Sequence, residues 1–460
     1  MDVRRFLLVL VAAVAGAVVI PLDRAGIGWA IAGLAALALL RNWFGVVAAA
    51  LLGMGAVRSA GWVFVLCAVA AVMVLAATVV NGRTWRELGL ALPRWVWGGW
   101  QGIRSVAVTS DRHGAVRVAR GIGMGIILVI VFGLLLGSAE QRFADLLTPL
   151  LSWPRLVTFA GVALLGLGAL HHRRTRAVTP PPAVVSGPRR EGRREWGRFE
   201  WAIPVALVDL LFATFAIVQF TVLFGGHDHV LDPDGPTYAQ YARGGFLELA
   251  TVAVLTLAVV AAVLSRVAPA DGSLARVLVG LLCGLTLVIV GSALWRMRLY
   301  VQAFGFTRSR LLATAFIVWL GLILLLLLAV WRRAVLPRLT LAAGALVLLG
   351  LAILNPDRIV AQTVIGRWQH DGHLDAPYLA SLSLDALPAL DTLPEPKRWC
   401  IAGAIIRSQR SHMTSGDAWN EWNASREAAG KIRPEGDNCE YYLTRGYRME
   451  GNWTDPSELR

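Results

Sequence analysis

Long apolar runs separated by short polar connectors are the dominant pattern of this chain. A bilayer core about 30 Å thick is crossed by roughly 20 apolar residues in a helix, and by fewer where neighbouring helices pack or the bilayer thins. The pattern therefore predicts an all-α fold, a polytopic transmembrane helix bundle of about eleven spans. The predicted spans are 6–20, 26–40, 44–57, 61–80, 118–137, 156–170, 201–224, 246–264, 274–294, 311–331 and 339–354.

Two of these spans allow a second interpretation. The first run follows Arg4 and Arg5 and contains Ala-Gly-Ala, which is also typical of a cleaved secretory signal. A retained span is favoured, because a polytopic chain needs no separate targeting peptide. The run 44–57 is short, and a re-entrant segment there would invert the orientation of everything before it.

The composition supports the membrane class. Fifty-six per cent of the residues are hydrophobic, only 16% are charged, and the mean hydropathy is +0.60. The net charge of +14 does not indicate nucleic-acid binding, because 32 of the 44 basic residues and only 15 of the 30 acidic residues fall within 1–354, in connectors between apolar runs. Only two basic residues are lysines, a bias typical of a high-GC bacterium. The predicted location is therefore a bacterial plasma membrane.

Arginine is distributed unevenly between the connectors. The connector 171–200 contains many arginines and three successive prolines, and 81–117 and 332–338 are also basic. Because basic connectors remain in the cytoplasm, these three predict a cytoplasmic N-terminus and an extracytoplasmic C-terminus. The connectors 140–145 and 227–234, which this threading places outside, are rich in acidic residues and agree with it.

The pattern divides the chain into four regions. Tryptophan and arginine alternate within residues 85–108, as is typical of a segment in the lipid headgroup layer, and membrane anchoring is the simplest role for it. The predicted regions are an N-terminal transmembrane region at 1–170 with an interfacial segment near 83–108, a basic Pro-rich cytoplasmic linker at 171–200, a C-terminal transmembrane region at 201–354, and an extracytoplasmic helical tail at 355–460.

The tail is polar and shows helical runs separated by prolines, which predicts a small appendage without a large core. Cys400 and Cys439 are a candidate disulfide, because a lone pair of cysteines outside the cytoplasm is typical of one and no third metal ligand accompanies them. Cys67 and Cys283 lie within spans and are interpreted as small apolar core residues.

The connector between the spans 201–224 and 246–264 contains the densest group of reactive side chains. His227 and His229 are of the type that binds zinc or another divalent metal, although a turn-forming loop explains the same residues. Arginine and tyrosine at a membrane surface suit a phosphate or carboxylate group, and a simple ion pair is the alternative. The candidate polar outer-face site comprises His227, Asp228, His229, Tyr238, Tyr241, Arg243, Glu248, Arg296, Arg298 and Tyr300.

One connector contradicts the charge rule. Arg296, Arg298, Arg308 and Arg310 flank a connector that the threading places outside. Either the topology is locally wrong, or these arginines are retained there for a specific reason. The second interpretation is favoured, because moving this connector inside would also expel the basic connector 332–338.

Asp209 is the only acidic residue well inside a predicted span. An ionisable group at that depth is costly and, by default, indicates a path for a proton, an ion or a substrate. The alternative is a protonated or hydrogen-bonded carboxyl group, because no basic residue lies at a comparable depth in another span.

Three motifs together resemble a known family. They are Phe-Gly-Gly-His-Asp-His-Val-Leu-Asp-Pro-Asp-Gly-Pro-Thr-Tyr-Ala-Gln-Tyr-Ala-Arg at 224–243, Ser-Ala-Leu-Trp-Arg-Met-Arg-Leu-Tyr-Val-Gln-Ala-Phe-Gly-Phe-Thr-Arg at 292–308, and Leu-Asn-Pro-Asp-Arg at 354–358. Over roughly 196–393 the chain resembles the multi-pass bacterial membrane proteins grouped as domain of unknown function 4153/4173. The resemblance implies a membrane protein and assigns no catalytic residue.

Function remains open between three classes: a structural, signalling or partner-binding protein, which is favoured; a transporter or flippase-like carrier using Asp209 and the outer Arg/Tyr layer; and a lipid-carrier-dependent transferase acting through His227, Asp228 and His229. No phosphate-binding loop, nucleophile elbow or zinc-protease helix occurs in the sequence, and no cofactor is predicted. The expected partners are the lipid bilayer and an anionic lipid or phosphate-bearing ligand at the outer face, with no nucleic acid.

Overall fold

The computed structural model describes residues 3–21, 24–82, 84–108, 153–178, 198–224, 238–330, 335–372, 374–395, 397–410, 418–432 and 439. These residues are organised in α-helices and short 3-10 helices, with no β-strand among them. The prediction of an all-α fold is confirmed. The predicted span 118–137, the linker from 179 onwards and the loop 225–237 lie outside the described residues.

The chain forms two compact units. The first comprises Met1–Ala183 with Ser411–Ile432, and the second comprises Val184–Arg410 with Arg433–Arg460. Each unit therefore combines membrane helices with part of the C-terminal region. Residues 355–410 belong to the second unit, and residues 418–432 belong to the first.

Apolar runs form the helices of the first unit, and polar residues mark where several of them begin and end. Asn42 begins α3 by accepting the amide of Gly45, and Thr84 begins α5 through a reciprocal pair of bonds with Glu87. The helices are α1 Val3–Val19, α2 Ile27–Leu40, α3 Trp43–Val57, α4 Gly61–Val80, α5 Trp85–Gly89, α6 Ala91–Val108 and α7 Trp153–Val178, with a short α16 Ala424–Gly430 from the C-terminal region.

The Trp-rich helix α6 packs in antiparallel register along α7. A glycine at position 99 lets the backbones approach, since a Cβ there would collide with the carbonyl oxygen of Leu164. Trp95 is buried and donates its indole N–H to the carbonyl of Leu165 at 2.8 Å. Trp97 remains exposed on another face. One side of this segment thus packs against protein, and its interfacial location stays a prediction.

The second unit has an apolar core between long helices. Leu282, Ile317 and Leu324 are among its fully buried side chains, and the buried hydroxyl of Thr286 is satisfied by donating to the carbonyl of Leu282 at 2.7 Å. Its helices are α8 Arg198–Phe224, α9 Tyr238–Arg266, α10 Gly272–Phe304, α11 Arg308–Ala329 and α12 Leu336–Ile353, followed by α13 Pro356–Asp371, α14 Ala376–Ala380, a 3-10 helix Leu384–Thr392 and α15 Lys397–Arg410.

Ten of the eleven predicted spans coincide with helices of the structure. Six helices within the described residues are long and apolar enough to cross a membrane: Gly61–Val80, Glu200–Ile217, Leu249–Arg266, Gly272–Gln302, Arg308–Ala329 and Leu336–Ile353. Three shorter apolar helices, Ile27–Leu40, Trp43–Val57 and Arg155–Ala169, accompany them. The chain is an integral membrane protein, and the predicted number of eleven crossings is not established.

The first half of the predicted tail contains a group of buried apolar residues. Val360 and Ile365 of α13 and Ile401 and Ile405 of α15 are buried, and both helices pack against the 3-10 helix Leu384–Thr392. Residues 355–410 are therefore a folded part of the second unit.

Candidate functional site

The sequence motifs at 292–308 and 354–358, which lie on either side of helices α11 and α12 in the chain, contact each other in the structure. Arg308 is the first residue of α11, and Asp357 lies in the first turn of α13. The guanidinium donates Nε–H to Oδ1 of Asp357 at 2.8 Å and Nη2–H to Oδ2 at 2.7 Å. This planar two-bond geometry is the strong form of an arginine–carboxylate pair.

The Asp357 carboxylate is fully buried, whereas the Arg308 side chain is 32% exposed. A third donor, the amide of Ser383, reaches Oδ2 of Asp357 at 2.9 Å. Arg308 also donates to the carbonyl of Ser381 at 3.3 Å, and its own amide donates to the hydroxyl of Tyr378 at 3.4 Å. One carboxylate therefore holds together the start of α11, the start of α13 and the chain at 381–383.

Neighbouring polar residues complete this network. Asn355 adopts a left-handed backbone with φ of 57°, and its side-chain oxygen caps α13 by accepting the amide of Arg358 at 3.2 Å. Its side-chain nitrogen donates to the carbonyl of Asp385 at 3.3 Å. The hydroxyl of Ser383 lies 3.3 Å from Oδ2 of Asp385, which is also buried. The Asn-Pro-Asp sequence thus sets both the turn and the helix start that place Asp357.

The network favours the charged form of Asp357. Burial raises the pKa of the carboxyl, but the hydrogen bonds from Arg308 and from Ser383, together with the positive charge of Arg308, outweigh it and leave the pKa below its usual value. The arrangement is therefore a permanent ion pair near neutral pH.

Arg310 donates hydrogen bonds to carbonyl groups at the end of the preceding helix, α10. Its Nη1 donates to the carbonyls of Phe304 and Gly305, in the last turn of α10, and its guanidinium stacks 4.2 Å from the ring centroid of Tyr300. Gly305 has a φ of 74°, a conformation that favours glycine. Arg308 and Arg310 thus have specific structural partners, which accounts for two of the four arginines that contradict the charge rule.

The remaining residues of the predicted outer-face site are only partly covered. His227, Asp228 and His229 lie outside the described residues, and no group of metal-binding side chains occurs within the described ranges. Arg298 lies 5.6 Å from the ring of Trp295 on α10, which also bears Arg296 and Tyr300. The positions of Tyr238, Tyr241, Arg243 and Glu248 are on α9, but their side chains lie outside the described part.

Asp209 is buried on α8, where it is 4% exposed. Neither of its carboxylate oxygens has a hydrogen-bond partner among the described residues, and the same is true of the buried indole nitrogen of Trp201 two turns earlier. Helix α8 packs against α10, whose Cys283 is buried. The structure thus places an ionisable group among apolar residues of membrane helices, and a role for Asp209 in transport stays a prediction.

A comparison with known protein families covers the three sequence motifs at 224–243, 292–308 and 354–358. Residues 46–393 match the family described as domain of unknown function, DUF4153. The chain belongs to the DUF4153 family. No curated protein and no solved structure matches it. Asp209, Arg308 and Asp357 all fall inside the part shared with DUF4153 proteins, which extends further towards the N-terminus than the resemblance seen in the sequence motifs.

Two features lie beyond the part that matches DUF4153. Cys400 and Cys439 form a disulfide within the second unit. Residues 418–432 belong to the first unit, where Asn423 donates to the carbonyls of Gly55 and Arg58 at 2.8 and 2.9 Å. Different parts of the C-terminal region of this DUF4153 protein thus belong to the two units, one held by a disulfide and the other by hydrogen bonds.

Sequence reasoning missed the Arg308–Asp357 pair, although both residues stand in motifs that carry the family resemblance. A usable signal was present: Asp357 follows the last apolar run directly, at the membrane face where the threading also places the unexplained arginines. An isolated acid and a surplus of basic residues at one face predict a pair.

Removing the carboxylate of Asp357 should strongly destabilise the second unit. Asp357→Ala leaves Arg308 without its counter-charge and the amide of Ser383 without its acceptor, a loss of about 3 kcal/mol, the lower end for a buried pair because Arg308 is 32% exposed. Asp391→Ala is the matched control, because Asp391 is 61% exposed in its pair with Arg398 and such pairs contribute about 1 kcal/mol or less. Thermal unfolding of both variants in detergent measures the difference, and equal losses would contradict the assignment.

The same pair should make stability depend on pH in one direction. Because the pKa of Asp357 is lowered in the folded protein, its contribution is complete above the unfolded pKa of about 3.9 and is lost as the pH falls through the folded value. The stability difference between the natural protein and Asp357→Asn should therefore be constant from neutral pH to about pH 5 and shrink below about pH 4. Denaturant unfolding in detergent at each pH checks this, and a difference that grows on acidification would refute it.

Proposed function

We propose that this membrane protein has a structural and partner-binding role, with residues 355–410 as the part that its partners contact. The observation that carries the proposal is the Arg308–Asp357 pair, which attaches a folded region with its own core to the end of a membrane helix. A region held by an ion pair with a fully buried carboxylate presents its surface in a fixed form, which lowers the entropic cost of binding a partner.

The surface of this region has the composition of a recognition surface. Trp368 lies beneath Lys397, with the ammonium 4.8 Å from the ring, and Trp399 lies beneath Arg398 at 4.7 Å. Tryptophan and arginine are enriched where proteins bind one another. Half-buried aromatic rings covered by cations favour a partner with an acidic surface, since its carboxylates would pair with these basic groups.

The proposal places this region outside a bacterial plasma membrane, with the N-terminus in the cytoplasm. Two features support that orientation. The distribution of arginine between connectors favours it, and the disulfide between Cys400 and Cys439 is of the type that persists in an oxidising compartment.

A carrier of protons or of another small cation is the second candidate. The observation that favours it is the buried carboxylate of Asp209, which lacks a hydrogen-bond partner among the described residues and lies on an apolar membrane helix. An acid in this setting is a default candidate for a transport path. The transferase alternative relies on His227, Asp228 and His229, which lie outside the described residues.

Complementation of a deletion strain separates the two candidates. Under the partner-binding proposal, the double charge reversal Lys397→Glu with Arg398→Glu should abolish complementation while the variant accumulates normally in the membrane, and Asp209→Asn should complement fully. Lys431→Glu is the matched control, because it reverses another exposed basic side chain, one that belongs to the first unit. Loss of complementation in Asp209→Asn, with the charge reversal neutral, would favour the carrier.

Chemical labelling tests the proposed orientation. Asp391→Cys should react with a membrane-impermeant maleimide in intact cells, because this side chain is exposed and the proposal places it outside. The natural Cys67 and Cys283 are buried and should contribute little background. Labelling of Asp391→Cys only after the cells are permeabilised would overturn the orientation.

A further inference from the structure

Residues 418–432 supply hydrogen bonds to the ends of membrane helices far away in the chain. The side-chain nitrogen of Asn423 donates to Gly55 and Arg58, at the end of α3, and the hydroxyl of Ser425 donates to the carbonyl of Val57 at 2.9 Å. Asn420 donates to the carbonyl of Val18, at the end of α1, at 3.0 Å.

The same segment also supplies hydrogen-bond partners to backbone groups at the start of α2. The amide of Ile27, the first residue of α2, donates to the carbonyl of Trp422 at 2.9 Å, and Arg426 donates to the carbonyl of Ala25, also at 2.9 Å. The first amides and the last carbonyls of any helix lack partners within it, and leaving them unpaired near hydrocarbon is costly. Residues 418–432 therefore form a cap, here called the helix-end cap, on α1, α2 and α3.

The two asparagines and the two tryptophans of this cap face in opposite directions. Asn420 and Asn423 are 6% and 1% exposed and point to the helix ends, whereas Trp419 and Trp422 are 59% and 43% exposed. Tryptophan presents a large apolar ring with one polar N–H group, which suits the layer between lipid headgroups and acyl chains.

Exposed apolar side chains also occur on the helices whose ends the cap binds. Val18 and Val57 have exposed side chains, and the carbonyls of these same two residues accept hydrogen bonds from the cap. Val11 and Val14, further along α1, are also exposed. Exposed apolar side chains on membrane helices face lipid, and the cap lies at the ends of α1 and α3 that bear Val18 and Val57.

From this arrangement we propose that the helix-end cap binds lipid: Trp419 and Trp422 insert into the headgroup layer of the leaflet at this end of α1–α3. The ligand class is the glycerol and headgroup region of a phospholipid. The inference is independent of the proposed partner-binding role, since it concerns a different segment and holds whichever candidate function is correct.

Tryptophan quenching by brominated lipids tests the proposal. The protein and a Trp419→Phe/Trp422→Phe variant are reconstituted in phosphatidylcholine/phosphatidylglycerol vesicles, and the emission lost in the variant is taken as the signal of these two rings. That signal should lose most of its intensity when the lipids carry bromine near the glycerol, and less when the bromine is near the chain ends. An undiminished signal in both brominated vesicles would overturn the proposal and would leave a water-facing surface for a protein partner.

A matched variant and a second measurement protect the test from a folding defect. Trp368→Phe removes a half-buried ring in the other unit, which should report the quenching of a ring not inserted in lipid. A nitroxide attached at Trp419→Cys gives an independent depth. It should be more accessible to dissolved oxygen than to a water-soluble nickel complex, and the reverse order would refute lipid insertion.

Discussion

A fully buried carboxylate fixes the structure of the second unit. Without compensation, the Asp357 charge would be prohibitively costly in an apolar setting, so Arg308 and the amide of Ser383 must be where they are. That requirement determines the start of α13, the path of the chain at 381–383 and the point where α11 leaves α10. An ion pair of this kind contributes less through its own free energy than by excluding alternative arrangements, because every other placement leaves a buried charge unpaired.

Helix ends impose the second constraint, and both units meet it in a similar way. At the end of α10, the guanidinium of Arg310 satisfies the carbonyls of Phe304 and Gly305. At the end of α3, the side-chain nitrogen of Asn423 donates to the carbonyls of Gly55 and Arg58. In water, solvent would fulfil this role, but near hydrocarbon a protein donor must replace it. Polar side chains beside the membrane helices of this protein therefore stabilise helix ends, although composition alone would suggest that they bind a ligand.

Helix positions could be predicted from the sequence because a membrane helix is an uninterrupted apolar run, and its limits follow from length alone. The charge pattern indicates that Asp357 pairs with a basic residue at its membrane face, but it does not single out Arg308, because two membrane helices separate the residues in the chain. The docking of Asn423 was equally hidden, since a polar segment without periodicity gives no sign of its binding place. Asp209 was identifiable because a single acid in an apolar run is conspicuous. The His227 loop was conspicuous for the same reason, although conspicuous residues need not form a site.

The helix-end cap also has a consequence for the order in which the protein is made. Asn420 bonds to Val18 across 402 positions of the chain, so α1 is synthesised long before the donor to that carbonyl exists. Until residues 418–432 have been made, the ends of α1, α2 and α3 lack the hydrogen-bond partners that this segment supplies.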